Sequence, residues 1–240
     1  MINLPEWLEN ELKTQYNDEI IEQIKQGFES ERKTTFRVNT IKSNDQEIIE
    51  ELEEKIDVLI DEVKKKARVK YVYDVFDVKV DENKIEFSNV VFESKSLAKN
   101  LDTCHKVIIL AVTLGNEIDA LIRRYSSLDS TSMVFVQAIA AEYLEKIIDE
   151  IEKDVVSSSN DKIYLKPRFS PGYGDLDISY QKDFIRLLDT PKKIGLSLTN
   201  GGMLAPTKSV TAIIGITNTD FRAKNKCSSC NSSNCEFREN

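Results

Sequence analysis

The chain has 240 residues, 40% of them hydrophobic, with 33 basic and 41 acidic side chains and a formal net charge of -8. That length buries one good-sized core, and the charge has the wrong sign for holding a nucleic-acid backbone or an anionic membrane by electrostatics alone. No apolar run reaches the roughly 18 to 20 residues of a membrane span, and the start "MINLPEWLEN" has neither a basic leader nor an apolar signal core, so the expectation is a cytoplasmic protein with a small-molecule or protein partner.

From the front, "LPEWLENELKTQYNDEIIEQIKQGF" places Leu8, Leu12, Tyr16, Ile20, Ile24 and Phe28 at helical spacing behind Pro5, and predicts one or two amphipathic helices. An extended piece, "TTFRVNT", leads to "NDQEIIEELEEKIDVLIDEVKKKARV", a helix with acids first and bases last, as its dipole favours. Its buried stripe is expected to be Ile48, Leu52, Ile56, Leu59, Ile60 and Val63. "KYVYDVFDVKV" and "IEFSNVVF", separated by "DENK", predict a β-hairpin. A short helix at "SLAKNL" precedes "KVIILAVTLG", a strand buried on both faces and stopped by Gly115. "NEIDALIRRYSSL" is helical again, and residues 130 to 156 form the longest, central helix, its core face marked by Val136, Ala140, Tyr143, Ile147 and Ile151.

The texture then changes. Between Pro167 and Gly215 lie four of the five prolines and six of the eight glycines, around a helix ("YQKDFIRLLD") and two strands ("KIGLSLT" and "SVTAIIGI"). Irregular backbone of this kind is retained where a chain turns sharply or meets a ligand. Its centre is "RFSPGYGDLD", residues 168 to 177. One reading is a binding kit for a zwitterionic small molecule: a guanidinium for a carboxylate, glycines that bare the backbone, a tyrosine and two carboxylates. The other is a tight turn with a surface arginine and an anchoring tyrosine.

The order of motifs, "LAVTLGNEIDALIRRYS", "AIAAEYLEKIIDEI", "RFSPGY" and "LLDTPKKIGLSLTNGGMLAPTKSVTAIIGI", resembles the activation (AdoMet-binding) domain of cobalamin-dependent methionine synthase in its stand-alone form, over roughly residues 56 to 217. The resemblance implies an α+β fold with a twisted, mainly antiparallel sheet flanked by helices, here with a helical N-terminal extension (1–54) before the domain (55–217) and a Cys-rich C-terminal tail (218–240). It implies that S-adenosylmethionine lies in a shallow groove and remethylates a partner's cobalamin, on methionine synthase or another corrinoid protein, with an electron donor such as flavodoxin or ferredoxin. By the same resemblance Arg168 would hold the methionine carboxylate, and the backbone of Ser170, Pro171 and Gly172 would bind amino and adenine groups. Tyr173 would line the groove near the sulfonium, a cation suited to an aromatic face. This chain departs from the family pattern at Gly174-Asp175-Leu176-Asp177, at Ala138 where the family has a ligand-contacting glutamate, and at Thr199-Asn200-Gly201-Gly202; three outcomes follow: weaker AdoMet binding, Asp175 or Asp177 in place of the lost acid, or a different ligand.

Two segments fall outside that resemblance. "CSSCNSSNC" spaces Cys227, Cys230 and Cys235 to wrap one tetrahedral ion, with Cys104 or His105 completing a zinc site, or to hold an iron–sulfur cluster; the alternative is a reduced, loosely structured tail. The first 54 residues, with "RVNT-K", resemble the N-terminal segment of RNA 5-methylcytosine methyltransferases of the Fmu/Sun type. Residues 1 to 55 hold 14 acids and 7 bases, hence a net charge of -7, which argues against RNA binding by this piece alone. Three readings therefore stand: an AdoMet-binding accessory of reductive remethylation, a metal- or cluster-carrying corrinoid handler without methyl transfer, and an RNA-modification accessory.

Overall fold

The computed structural model describes Lys13 and residues 45–220; the predicted front helices and the three tail cysteines lie outside them. The chain divides into two compact units, Met1–Leu52 and Glu53–Asn240, and the second carries the sheet and its flanking helices. The elements are α1 (Asp45–Lys66), β1 (Lys70–Asp81), β2 (Lys84–Phe87), β3 (Val90–Glu93), α2 (Lys95–Asn100), β4 (Lys106–Thr113), α3 (Asn116–Leu128) and α4 (Ser130–Ser158). They continue through β5 (Tyr164–Leu165), a 3-10 turn (Ile178–Tyr180), α5 (Gln181–Leu188), α6 (Thr190–Ile194), β6 (Ser197–Leu198), β7 (Leu204–Ala205) and β8 (Ser209–Thr217). The main sheet has the order β3-β2-β1-β4-β8-β5, and every pairing in it is antiparallel. This is the expected α+β fold.

At the centre, β4 pairs with β8 from Lys106↔Ile216 to Thr113↔Ser209, and every residue of β4 after Lys106 is buried. Alternation sends its side chains to two cores. Ile108, Leu110 and Val112 join Ala212, Ile214 and Ile216 under α1, α3 and α4. Val107, Ile109 and Ala111 join Ile213 under β2, β3, α2 and α5, where Phe92 stacks on Phe184 at 5.8 Å. Burying each such side chain stabilises the fold by about 1.5–3 kcal/mol. α4 turns Val136, Ala140, Leu144, Ile147, Ile148 and Ile151 inward; Leu144, rather than Tyr143, fills the middle of the stripe. Its start is capped by Asp129, which accepts from Thr131 N at 3.0 Å, from the Ser132 hydroxyl and from Lys55 Nζ, both at 2.6 Å. These contacts hold the Asp129 carboxyl well below the usual range, the Lys55 ammonium first among them.

Two predicted elements are corrected. "IEFSNVVF" is two strands, β2 and β3, because Ser88 takes a positive φ of 52° and turns the chain. "KIGLSLT" keeps only Ser197–Leu198 as strand, since Pro191 opens the short helix α6 and Gly195, at φ 74°, closes it. At Gly215 in β8 the reason for glycine is space: a Cβ there would stand 2.5 Å from the Cys104 sulfur and 2.8 Å from Leu101 Cδ2.

Candidate functional site

The loop from Arg168 begins as an extension of the sheet. Phe169 exchanges backbone hydrogen bonds with Ile213, at 3.0 and 2.8 Å, and its ring is buried in the second core. Its neighbour Arg168 therefore projects to the opposite face, where α4 runs. There Glu145, Asp149 and Glu152, four and three residues apart on one helical stripe, surround the guanidinium. NH1 lies 3.1 Å from Glu145 Oε2, Nε lies 3.3 Å from Glu152 Oε1, and NH2 donates to Asp149 Oδ1. NH1 is buried beside Glu145, so the guanidinium is committed to the acids of α4.

Beyond Phe169 the chain folds into a compact turn. Gly172, at φ 89°, donates its N–H to Leu176 O at 2.8 Å, and Tyr173 donates to Ser170 O at 3.0 Å. A Cβ at Gly172 would also press on Ile178 Cδ1 at 3.1 Å. Part of the backbone predicted to meet a ligand is thus engaged within the turn. Tyr173 stands 67% exposed with its ring edge-on to Phe169 at 5.2 Å.

Asp175 has a different occupation: it accepts from the Ser94 hydroxyl, from Lys95 N at 2.8 Å and from Ser96 N at 3.1 Å, pinning the loop to the start of α2. The Ser94 hydroxyl, with those amides, holds its carboxyl well below the ordinary carboxylate range. Asp177 accepts from Ser179 N at 2.7 Å and is lowered by that contact. Asp175 is thus engaged with the start of α2 at both oxygens, while Asp177 is exposed and bonded at Oδ1.

Ser170 and Pro171 line one wall of a groove of about 450 Å³, and Gly202 to Leu204, Thr207 and Ser209 to Thr211 line the other. That volume is within the range of small-molecule sites. No charged side chain lines it, and its polar groups are hydroxyls and the Gln181 amide. Gln181 is 5% exposed and donates to Thr211 Oγ1 at 2.5 Å. The far wall is fixed by Thr207, whose N–H reaches Asp119 Oδ2 at 2.9 Å, and by Thr199, whose N–H reaches Met203 O at 2.8 Å. Sequence reasoning did not single out Gln181, Thr211 or Met203. Gly201-Gly202 lie in the turn that joins β6 to its antiparallel partner β7, and nothing local marked the wall across the groove.

A larger groove, about 770 Å³, lies beside Cys104 with Lys95, Lys99 and Asp102. It is remote in sequence from the 168–177 loop and its lining carries charges of both signs, so we take the neutral groove as the candidate site. Burial pushes the Cys104 thiol up to about 11, partly offset by Lys166, a setting that favours thiol over thiolate. Among the described residues, no group of three or more His, Cys, Asp or Glu side chains is placed to hold a metal ion, and no helix is long and apolar enough to cross a membrane.

A family profile described as "Methyltr_RsmF/B-like, ferredoxin-like domain" matches residues 4–64, the segment that resembles RNA methyltransferases. A search of curated proteins finds no match. Among solved structures, the crystal structure of the MetH reactivation domain bound to AdoHcy superposes with a TM-score of 0.57 at 16% identity, covering 76% of this chain and 70% of that chain. The resemblance drawn from motif order is borne out at the level of fold: the chain has the architecture of the MetH reactivation domain.

Proposed function

We propose that this chain binds S-adenosylmethionine in the groove between Ser170–Pro171 and the 202–211 wall, and serves as an accessory to the reductive remethylation of cobalamin on methionine synthase or another corrinoid protein. The observation that carries the proposal is the position of that groove. It is built by the R-x-x-P-G-Y loop on a fold shared with a domain solved with AdoHcy, which is AdoMet without its methyl group.

The chain's own residues would bind and orient. Arg168 lies among three acids of α4 and outside the lining of the groove; it would take a ligand's carboxylate by turning from those acids toward the groove, which favours a ligand whose carboxylate comes with an ammonium group. Ser170 and Pro171 form the near wall, Gly172 would add its backbone from the same turn, and Tyr173 stands exposed on that loop, open to a partner. Bound AdoMet would supply an electrophilic methyl group, whose transfer to a strong nucleophile depends on positioning rather than on an acid or base. The electron for the cobalt would come from a donor such as flavodoxin or ferredoxin. A zinc ion or cluster would rest on Cys227, Cys230 and Cys235, and metal content before and after their replacement tests it.

Calorimetric titration with AdoMet and with AdoHcy tests the main reading. Saturable binding is expected, weakened at least about tenfold, or 1.4 kcal/mol, by Arg168→Ala and less by Arg168→Lys. Because Arg168 also joins the loop to α4, each variant is scored on protein shown by melting to be folded. No saturable binding to either compound sinks the proposal. The profile over residues 4–64 favours a second reading, an RNA-modification accessory; it requires salt-sensitive RNA binding that depends on that segment.

A further inference from the structure

β1 is twelve residues long, and none of them is fully buried. Its first eight residues, Lys70 to Asp77, pair with β4 on one side, while β2 pairs only with Val78 to Asp81 on the other. Over residues 70–77 the second edge of β1 therefore has no strand partner among the described residues. The direction of the free groups follows from the ladder. Val78 donates to His105 O at 3.1 Å, so the even-numbered residues of β1 bond toward β4, and the N–H and C=O groups of Tyr71, Tyr73 and Val75 point outward.

The same odd-numbered residues carry an exposed apolar stripe: Val69 37%, Tyr71 50%, Tyr73 38% and Val75 45% exposed. Natural edge strands are blunted by proline, bulges or charged side chains; "VKYVYDVFD" has no proline or glycine, and its charges, Lys70, Asp74 and Asp77, include both signs, so a second copy can match them.

We infer that this edge pairs with the same edge of a second copy of the chain, antiparallel about a two-fold axis through Val72. The register follows from charge and face. Opposed residues of two antiparallel copies must lie on one face, so the axis passes through a residue rather than between two. Through Val72, Lys70 faces Asp74 twice, Tyr71 faces Tyr73 twice and Val69 faces Val75 twice. The outward amides of Tyr71 and Tyr73 then bond to each other. Centred on Tyr73, the same strand would put Lys70 against Phe76 and leave both charges unpaired; centred on Asp74, it would oppose two carboxylates. Among the described residues Asp74 pairs with Lys193 at 3.9 Å, an exposed and loose pair. The Val72 register supplies cross-strand pairs of the kinds that stabilise sheets.

Sedimentation velocity of the full chain over a micromolar concentration series tests this. The expected result is a reversible dimer whose dissociation constant rises about tenfold in Asp74→Lys, which sets two ammonium groups opposite each other at both ends. The swap Lys70→Asp/Asp74→Lys restores it to within about threefold. Tyr71→Lys/Tyr73→Lys, on exposed side chains, makes a second test and is expected to give a folded monomer with an unchanged melting temperature. A wild-type chain that stays monomeric, a dimer indifferent to Asp74→Lys and to the tyrosine pair, or a charge swap that fails to restore association overturns the inference.

Discussion

From Val107 to Thr113 every side chain of β4 is out of water, whereas in the loop from Arg168 to Asp177 only Phe169, Pro171 and Leu176 are. The strand is fixed by apolar contact on both faces and by two ladders. The loop is fixed by two ionic clasps, Arg168 on the acids of α4 and Asp175 on the start of α2, with those three buried side chains as pegs. The difference teaches where each region is sensitive: the strand to volume, the loop to protonation and salt. It also fits a division of labour, since a wall that receives a ligand must keep polar surface at the water boundary while the element behind it does not move.

The largest effect is expected in the strand. Leu110→Ala, in the first core, should cost about 3 kcal/mol, within the 2–5 kcal/mol usual for such truncations, read by urea unfolding at neutral pH and nearly unchanged by added salt. Gly215→Ala should cost about 2 kcal/mol by overpacking, with partial recovery in Cys104→Ala/Gly215→Ala. On the loop side, Arg168→Ala should cost about 1 kcal/mol, as befits a partly exposed ion network, and its penalty should shrink as salt screens the three acids left behind.

Asp175→Asn should lower the melting temperature by a smaller amount, and only above the carboxylate range. A carboxyl held low in the folded state stabilises it above the unfolded value, about 3.9, and that contribution is lost as pH falls through the folded value. The curves of wild type and variant should therefore begin to approach one another as pH falls below about 4. The smallest effect, within about 0.5 kcal/mol, is expected of the exposed Tyr173→Thr; an accompanying loss of AdoMet affinity would mark the tyrosine as a ligand contact rather than a peg. A loop penalty that ignores salt and pH, or a strand penalty that follows them, would break the contrast.

Elements defined by periodicity were readable from the chain. "KVIILAVT" and the helix from Ser130 carry their burial pattern in consecutive residues. The split at Ser88 was hidden because a serine, rather than a glycine, takes the positive φ. "DTPKKIG" did contain its signal, proline at the start and glycine at the end of a short helix, but the apolar residues beyond it read more strongly as strand. In the site, the glycine-rich turn was legible and its partners were not. The acids of "EKIIDEIE" declare a charged helical face, yet only the crossing of α4 over the loop decides that Arg168 lies among them. Asp175 reads as a free carboxylate until the approach of Ser94 is known, and Gln181 meets Thr211 across 30 residues of chain. Contacts of that kind depend on topology, which local sequence does not encode.

The close approach at Gly215 has a consequence for how such chains diverge. The Cys104 sulfur and the end of Leu101 fill the space that any side chain at 215 would need, so the three positions behave as one heritable unit. Among relatives of this fold, a residue larger than glycine at position 215 is expected only where position 104 has shrunk to alanine or glycine, or where Leu101 has given way. A lineage that enlarges position 215 first must cross a less stable intermediate, so the order of substitution is constrained even though neither Gly215 nor Cys104 lines the candidate groove.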